Sequence, residues 1–377
     1  MIKKSLILLF SSRLLFLIFA VAGTFLVTAR TGYLGINLSP ENDHYLLWIW
    51  SNFDGKHYIN IAQFGYQRFD FAFFPLYSVL ILGISKILSI HYIPAGIIIS
   101  TLSFFGGMVF LYKICLIDFD KRVASLALFF ISFFPLSFFY HSVYTDSLFL
   151  LLTTASFYFA RKKQWVWAGI FGGLSTATRL TGMALLPALA VEWYLQNRTL
   201  TKELRGIIIL FLKKAAFPLT LATSGFLAYA LYLHLNYGSW LLFQKSMVAW
   251  SQDKFIFPPQ VIFRYLKIFF SVSPGLLEYW IAVLEFVSFF AYLFIAVYVW
   301  TKVRISYGVF MVILLILVTF TGTLAGNPRY ILHLFPAFIG LSLLVRNKKP
   351  LKYAITAIFI ALGFILTIIF TRGYFVT

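Results

Sequence analysis

Long apolar runs recur along the whole chain, separated by short polar joints. They lie near 5–28, 71–90, 94–116, 122–140, 144–160, 165–178, 182–196, 215–235, 277–300, 305–325, 330–345 and 351–371. A helix needs about 20 such residues to cross the hydrocarbon core of a bilayer. The pattern therefore predicts an all-α polytopic membrane protein. No joint is long and polar enough to fold as a soluble domain. Residues 1–377 read as one integral membrane domain with outer loops at 29–93 and 236–276. The first run follows Lys3 and Lys4 and continues to Val27, beyond the apolar core of a signal peptide, so an uncleaved first span is expected despite the small residues Ala20 and Ala22.

Composition agrees. The chain is 61% hydrophobic and 11% charged, against about 25% charged residues in a soluble domain. A net charge of +19 raises the question of nucleic acid. The basic residues cluster at the ends of apolar runs and not on one polar face, which argues against that partner. Cys115 is the only cysteine, so no intrachain disulfide is expected.

Charge also sets the topology. If all the runs crossed, the clusters Lys113/Lys121/Arg122, Arg161/Lys162/Lys163 and Arg346/Lys348/Lys349/Lys352 would fall on the side opposite Lys3 and Lys4, against the positive-inside rule. If 71–90 enters and leaves on one side, most of the 31 basic residues become cytoplasmic. Pro75, Gly83 and Lys86 suit such a non-crossing segment. The expected arrangement is about 11 spans, with the N-terminus inside and the C-terminus outside.

That topology gathers four polar stretches on the outer side. The first runs from Asn52 to Tyr66 and carries Asp54, one of 12 acidic residues. Ser51 or Asn52 is positioned to cap a short helix and Gly65 to end it. Asp54 and His57, three apart, share a face, and Phe53, Ile61 and Phe64 suit an interfacial helix. The second, His141 to Leu148, places Asp146 at the opening of a helix. A purely structural use of each aspartate, favoured by the helix dipole, competes with a chemical one. The third, Ser175 to Gly182, carries Arg179, a guanidinium able to hold a phosphate or to reach lipid headgroups. Gly169, Gly172 and Gly173 before it fit close helix packing better than a phosphate loop. The fourth, Gly326 to Pro336, carries Arg329 and His333, four apart, with Pro328 suited to a first helical turn. Two carboxylates and two arginines at an outer surface fit sugar transfer from a lipid-linked sugar phosphate. One group takes a proton from an incoming hydroxyl, and the cations hold the departing phosphate.

These same stretches resemble bacterial relatives of the PIG-V type of GPI-anchor mannosyltransferase, in the GT-C class of membrane glycosyltransferases. The segment from Asn52 to Tyr66 followed by Phe71 to Ile81 is similar to that family's Asp-Gly-x-x-Tyr helix and AFFPLYP element, with Ser78 in place of the last proline. The segment from His141 to Leu152 resembles its YTESLFLLL, with Asp146 for glutamate; Trp167 to Pro187 resembles its TRPTG stretch, with Leu180 for proline; Asn327 to Phe338 resembles its final RYxLxxFPxF element. The resemblance spans about 50–340 in order. It implies a GT-C fold similar to oligosaccharyltransferases and protein O-mannosyltransferases. It also implies inverting transfer of a hexose, mannose by family, from a polyprenyl- or dolichyl-phosphate donor. Asp54 would be the catalytic base, with His57, Tyr58, Asp146, Arg179, Arg329 and His333 around the substrates. The acceptor would be a glycolipid, a polysaccharide or a protein, at the outer face of a prokaryotic plasma membrane. No cofactor or metal is expected with a monophosphate donor.

Other features stay outside that scheme. The loop 236–276 holds Trp240, Trp250, Phe255 and Phe257, suited to an interfacial belt or a sugar platform, with Gln244 and Asp253 as its polar groups. Glu285 falls within an apolar run, as ion-path acids do, so a transporter or lipid flippase is the main rival. A non-catalytic membrane subunit is the third reading. Asn37 and Ser39 frame a glycosylation sequon.

Overall fold

A computed structural model describes residues 2–30, 45–199, 204–250, 252 and 254–376. The Asn37 sequon and Asp253 lie outside the described residues. The described secondary structure is helical throughout, with no strand. Among the described residues four helices are long and apolar enough to cross a membrane: Ile2–Leu26, Tyr92–Asp118, Leu277–Lys302 and Lys349–Thr371. A fifth span is made if the pair Asn327–His333 and Phe335–Val345, bent by 87°, counts as one. The chain is an integral membrane protein. Several expected spans are shorter helices, among them Lys121–Phe133, Trp165–Thr176 and Leu185–Asn197.

The chain forms two compact units, Met1–Leu151 with Leu341–Val376, and Leu152–Gly340. The two boundaries fall inside helices Asp146–Arg161 and Phe335–Val345.

In the first unit the first and last spans run side by side in the same direction. Gly23 lies against Ile368, where a Cβ would meet the side chain at 3.3 Å. Phe19 packs edge-on to Phe364 at 5.2 Å. At the ends of both helices, Arg372 Nε donates to the Val27 carbonyl at 2.7 Å and Arg30 N–H donates to the Arg372 carbonyl at 2.9 Å.

Helix Pro75–Leu88 has 14 residues, about 21 Å of rise, short of the ~30 Å core. Both of its ends lie toward the Val27–Arg372 end of the bundle. Ser78 Oγ donates to the Tyr58 carbonyl at 3.0 Å, and Tyr77 reaches the Gly96 carbonyl at 3.0 Å and Ser100 Oγ at 2.7 Å. At the far end Ser89 turns the chain with φ 51°. His91 then meets Trp48 at 5.4 Å, three residues from Tyr45, whose hydroxyl accepts from Arg372.

The second unit is held by small residues and by buried carboxylates, Glu192 among them. Added Cβ atoms at Gly169 and Gly173 would stand 2.3 Å from the Pro218 carbonyl oxygen and 2.6 Å from that of Leu221. At Gly172 one would stand 2.8 Å from Ala222 Cβ. The glycines are packing residues. Glu192 is fully buried and accepts from Arg304 twice, at 2.6 and 2.7 Å, from Ser306 at 2.6 Å and from Gln196 at 2.6 Å. Arg161 stands 3.4 Å away and donates to Tyr307 at 3.0 Å. A bidentate arginine with further donors is what a charge removed from water requires. Among the helices without a counterpart in the expected runs are Leu204–Lys214 and Pro258–Ser271.

Candidate functional site

Asp54 opens the helix Asp54–Phe64. The residue before it, Phe53, has φ 59°, a conformation a side chain seldom adopts. It is held there by Phe370 and Phe375, each with ring centroids at 5.7 Å. Neither expected cap acts on this helix. Asn52 Nδ2 donates to the Phe370 carbonyl at 2.8 Å and Ser51 Oγ to the Trp48 carbonyl at 2.7 Å. Tertiary partners have taken both side chains, and the helix starts without a side-chain cap. Gly65, with φ 78°, ends it as expected, its N–H bonded to the Ile61 carbonyl at 3.0 Å. Tyr58 and Ile61 turn inward, and Phe64 is exposed. Asp54 itself is half-buried.

The second motif stretch folds against the first. Val143 N–H donates to the Trp50 carbonyl at 2.9 Å, and the Tyr144 hydroxyl donates to the Asn52 carbonyl at 2.6 Å. Gly55 lies where a Cβ would stand 3.3 Å from the Val143 carbonyl oxygen, which explains why a glycine follows Asp54. Tyr58, buried, brings its hydroxyl to 3.3 Å from Thr145 Oγ1. Asp146, fully buried, opens the next helix. Asp54 and Asp146 are thus the first residues of two helices whose leading turns are fastened together. Ser142 does not cap the second helix, since its hydroxyl bonds back to the Phe138 carbonyl at 2.9 Å.

His57 has a partner the sequence did not indicate. Its Nδ1 lies 2.6 Å from Asp70 Oδ1, and its ring stacks on Phe73 at 4.5 Å. Asp70 is buried and also accepts from Gln67 N–H at 3.3 Å. The pairing fastens the end of the loop to the Asp54 helix and fixes the imidazole face. Among the described residues no group of three His, Cys, Asp or Glu gathers as metal ligands.

Arg13 was missed because it is a lone charge in an apolar run. Its Nε donates to His141 Nδ1 at 2.9 Å, and Ser12 Oγ lies 3.5 Å from Nε2. Burial first, and the Arg13 guanidinium second, push His141 well below the ordinary histidine range. It stays a neutral imidazole, five residues before Asp146.

In the second unit Arg179 and His333 meet, with Arg179 Nη1 donating to His333 Nε2 at 3.1 Å. The guanidinium also covers the Tyr330 ring at 5.6 Å. His333 is fully buried and Arg329 nearly so. The expected continuous span at 330–345 is interrupted. Pro328 sits in the first turn of Asn327–Tyr330 as anticipated, but a 3-10 turn, Ile331–His333, follows, and Phe335–Val345 leaves at 87°. The break falls at Leu334, and Pro336, which has no N–H to bond back across it, sits in the first turn of the helix that follows.

Glu285, the acid read as a possible ion path, accepts from the Tyr265 hydroxyl at 2.5 Å. Tyr265 in turn accepts from Leu324 N–H at 3.0 Å. Arg264 Nη1 donates to the Gly322 carbonyl at 3.0 Å. The two side chains hold the turn that leads into Asn327 and Arg329.

No family model and no curated protein matches the chain. Among solved structures it is similar to the oligosaccharyltransferase of Archaeoglobus fulgidus. The complex with Zn and sulfate gives a TM-score of 0.45 at 14% identity, covering 97% of this chain and 53% of that one. The apo form gives 0.45 at 14%, covering 99% and 56%. The form tethered to an acceptor peptide containing the NVT sequon gives 0.45 at 14%, covering 98% and 55%. The chain spans about half the length of the structures it matches.

Proposed function

We propose that the chain is a GT-C membrane glycosyltransferase of the PIG-V-like kind. It moves a hexose, mannose by resemblance, from a polyprenyl-phosphate donor to an acceptor hydroxyl at the outer face of a prokaryotic plasma membrane, with inversion. Asp54 takes the hydroxyl proton. The acceptor oxygen then bonds to the anomeric carbon as its bond to the phosphate oxygen breaks, and the lipid phosphate leaves. Arg179 and Arg329 are assigned to that phosphate, and Asp146, His57 and His333 to orientation of the substrates. Tyr58 fastens the Asp54 helix to the Asp146 turn.

The observation that carries this reading is the union of two motif stretches far apart in the sequence. Gly55 is fitted to the Val143 carbonyl and Tyr58 to Thr145, and a half-buried carboxylate is left at the opening of the helix. The rival reading as a transporter would need Glu285 to carry an ion or a proton, and Glu285 is bonded to Tyr265 in the fastening of a turn.

The test is turnover by the purified protein in liposomes with a panel of polyprenyl-phosphate hexoses and candidate acceptors. Asp54→Asn lowers the rate by about 10²–10⁴-fold, and the product carries the inverted anomer. Equal rates for wild type and variant would remove the assigned base. Movement of sugar or lipid across the vesicle wall without transfer would favour the transporter.

A further inference from the structure

Helix Pro258–Ser271 belongs to a stretch whose polarity marks it as an outer loop, yet its packing is that of a membrane helix. It folds back on the span Leu277–Lys302 as an antiparallel hairpin. Phe269 meets Tyr279 at 6.0 Å and Phe286 at 5.2 Å, and Tyr265 bonds to Glu285. Val261 shares a buried cluster with Phe289 and Leu324. The nearer the helix comes to Pro258, the farther along the span it lies.

Depth follows from helical rise. With Lys302 at the cytoplasmic boundary, Phe289 stands about 20 Å above it and Tyr279 about 35 Å, at 1.5 Å per residue. A hydrocarbon core of ~30 Å ends between them. Helix Ile305–Thr319 gives the same depth independently, because its 15 residues rise about 22 Å. Its end meets the start of the hairpin helix, with Ile256 N–H donating to the Phe320 carbonyl at 3.0 Å and Phe255 stacked on Phe320 at 4.3 Å.

The backbone at that depth is suited to a place without water. Pro258 and Pro259 open the helix and remove two amide donors that would otherwise need partners. The facing turn has its Gly322 carbonyl bonded to Arg264 and its Leu324 N–H bonded to Tyr265. Irregular backbone within a bilayer is tolerated where protein satisfies it in this way. The outward face carries Phe263, Leu266 and Phe270, which are 67%, 42% and 92% exposed and follow one helical stripe. Val287 and Phe294 on the neighbouring span are exposed to a similar degree, at 58% and 65%.

We infer that this helix stands steeply in the outer leaflet against the span, with Phe263 among the acyl chains of membrane lipid and Phe270 at the headgroups. A helix lying flat on the surface would keep the three at one depth. The experiment places nitroxide labels one at a time at 263, 266 and 270 in reconstituted Cys115→Ala protein, with 287 and 294 as references on the span. Accessibility to oxygen and to a water-soluble nickel chelate gives the depth of each. The expected result is a graded series, 263 deepest and 270 shallowest, separated by about 10 Å, with 263 open to oxygen and closed to nickel. Equal depths, nickel access at 263, or exclusion of both reagents by a protein partner would each overturn it. None of these readings depends on whether the chain transfers sugar.

Discussion

Tyr58 and Thr145, 87 positions apart, meet hydroxyl to hydroxyl at 3.3 Å, and through that contact the Asp54 helix is fastened to the turn that presents Asp146. Both side chains are buried. A buried hydrogen bond of this kind contributes about 1 kcal/mol net, and more is lost when one partner is left alone. Tyr58→Phe and Thr145→Val should each lower the unfolding midpoint in detergent. The double variant should cost less than the sum of the two. Simple additivity would show that the contact carries no energy of its own.

Two glycines give a matched pair. An added Cβ at Gly225 would stand 2.1 Å from the Gly173 carbonyl oxygen and 2.5 Å from Ala177 N, both backbone atoms. Gly225→Ala should therefore destabilise by about 1–3 kcal/mol as the helices separate. Gly83 has nothing within 4 Å of the same position and lies inside helix Pro75–Leu88. Gly83→Ala should raise stability by roughly 0.5–1 kcal/mol through helix propensity alone. Thermal unfolding of both in one detergent checks the contrast.

Glu192 accepts from Arg304, Ser306 and Gln196 while fully buried. Removing one member of a buried ion pair strands the other and costs about 3–5 kcal/mol. Glu192→Ala should unfold the second unit well below the wild-type midpoint. Restoring Glu192 beside Arg304→Leu should not recover it. A wild-type melting curve for Glu192→Ala would contradict the assigned network.

His141 gives stability a pH dependence whose sign is fixed. In the folded protein its pKa is depressed by burial and by Arg13, whereas in the unfolded chain it titrates near about 6.5. The unfolded state therefore takes up a proton that the folded state refuses, and stability falls as pH drops below the unfolded value. The slope is at most about 1.4 kcal/mol per pH unit for one group. His141→Gln keeps an acceptor for Arg13 and removes the titration, so its unfolding midpoint between pH 7 and 5 should be flatter than that of wild type.

The Tyr265 clamp is open to hydrogen exchange. Tyr265→Phe deletes the acceptor of Leu324 N–H, and that amide should exchange faster while amides in Leu277–Lys302 keep their protection. Glu285→Gln leaves the Tyr265 hydroxyl an acceptor and should have the smaller effect. Equal protection of Leu324 in all three proteins would remove the clamp.

The long runs Ile2–Leu26, Tyr92–Asp118, Leu277–Lys302 and Lys349–Thr371 were legible because a lipid-facing helix has one requirement, sustained apolarity over its length. The expectation that 71–90 does not cross rests on charge, since the positive-inside rule counts sides without knowing contacts. Pro258–Ser271 was not, because a helix with one face on protein and one on lipid, broken by Arg264 and Lys267, matches neither the span pattern nor the loop pattern. Local caps were misjudged for a related reason. Asn52 and Ser51 are good caps in isolation, and the Phe370 and Trp48 carbonyls, distant and near, claimed them instead. The partners of His57 and Arg13, namely Asp70 and His141, depend on folding and leave no periodic trace.

The unit that holds Asp54 is assembled from two separated stretches, Met1–Leu151 and Leu341–Val376. A ribosome therefore delivers the Asp54 segment well before its support. Asn52 waits for the Phe370 carbonyl, and Val27 for Arg372, until the whole of Leu152–Gly340 has been translated and inserted. During that interval the face of the first helix that carries Phe19 and Gly23 stands uncovered by Phe364 and Ile368. Nascent chains stalled before residue 349 should be clients of the insertion machinery, and the Phe53 turn should form only once Phe370 has been made.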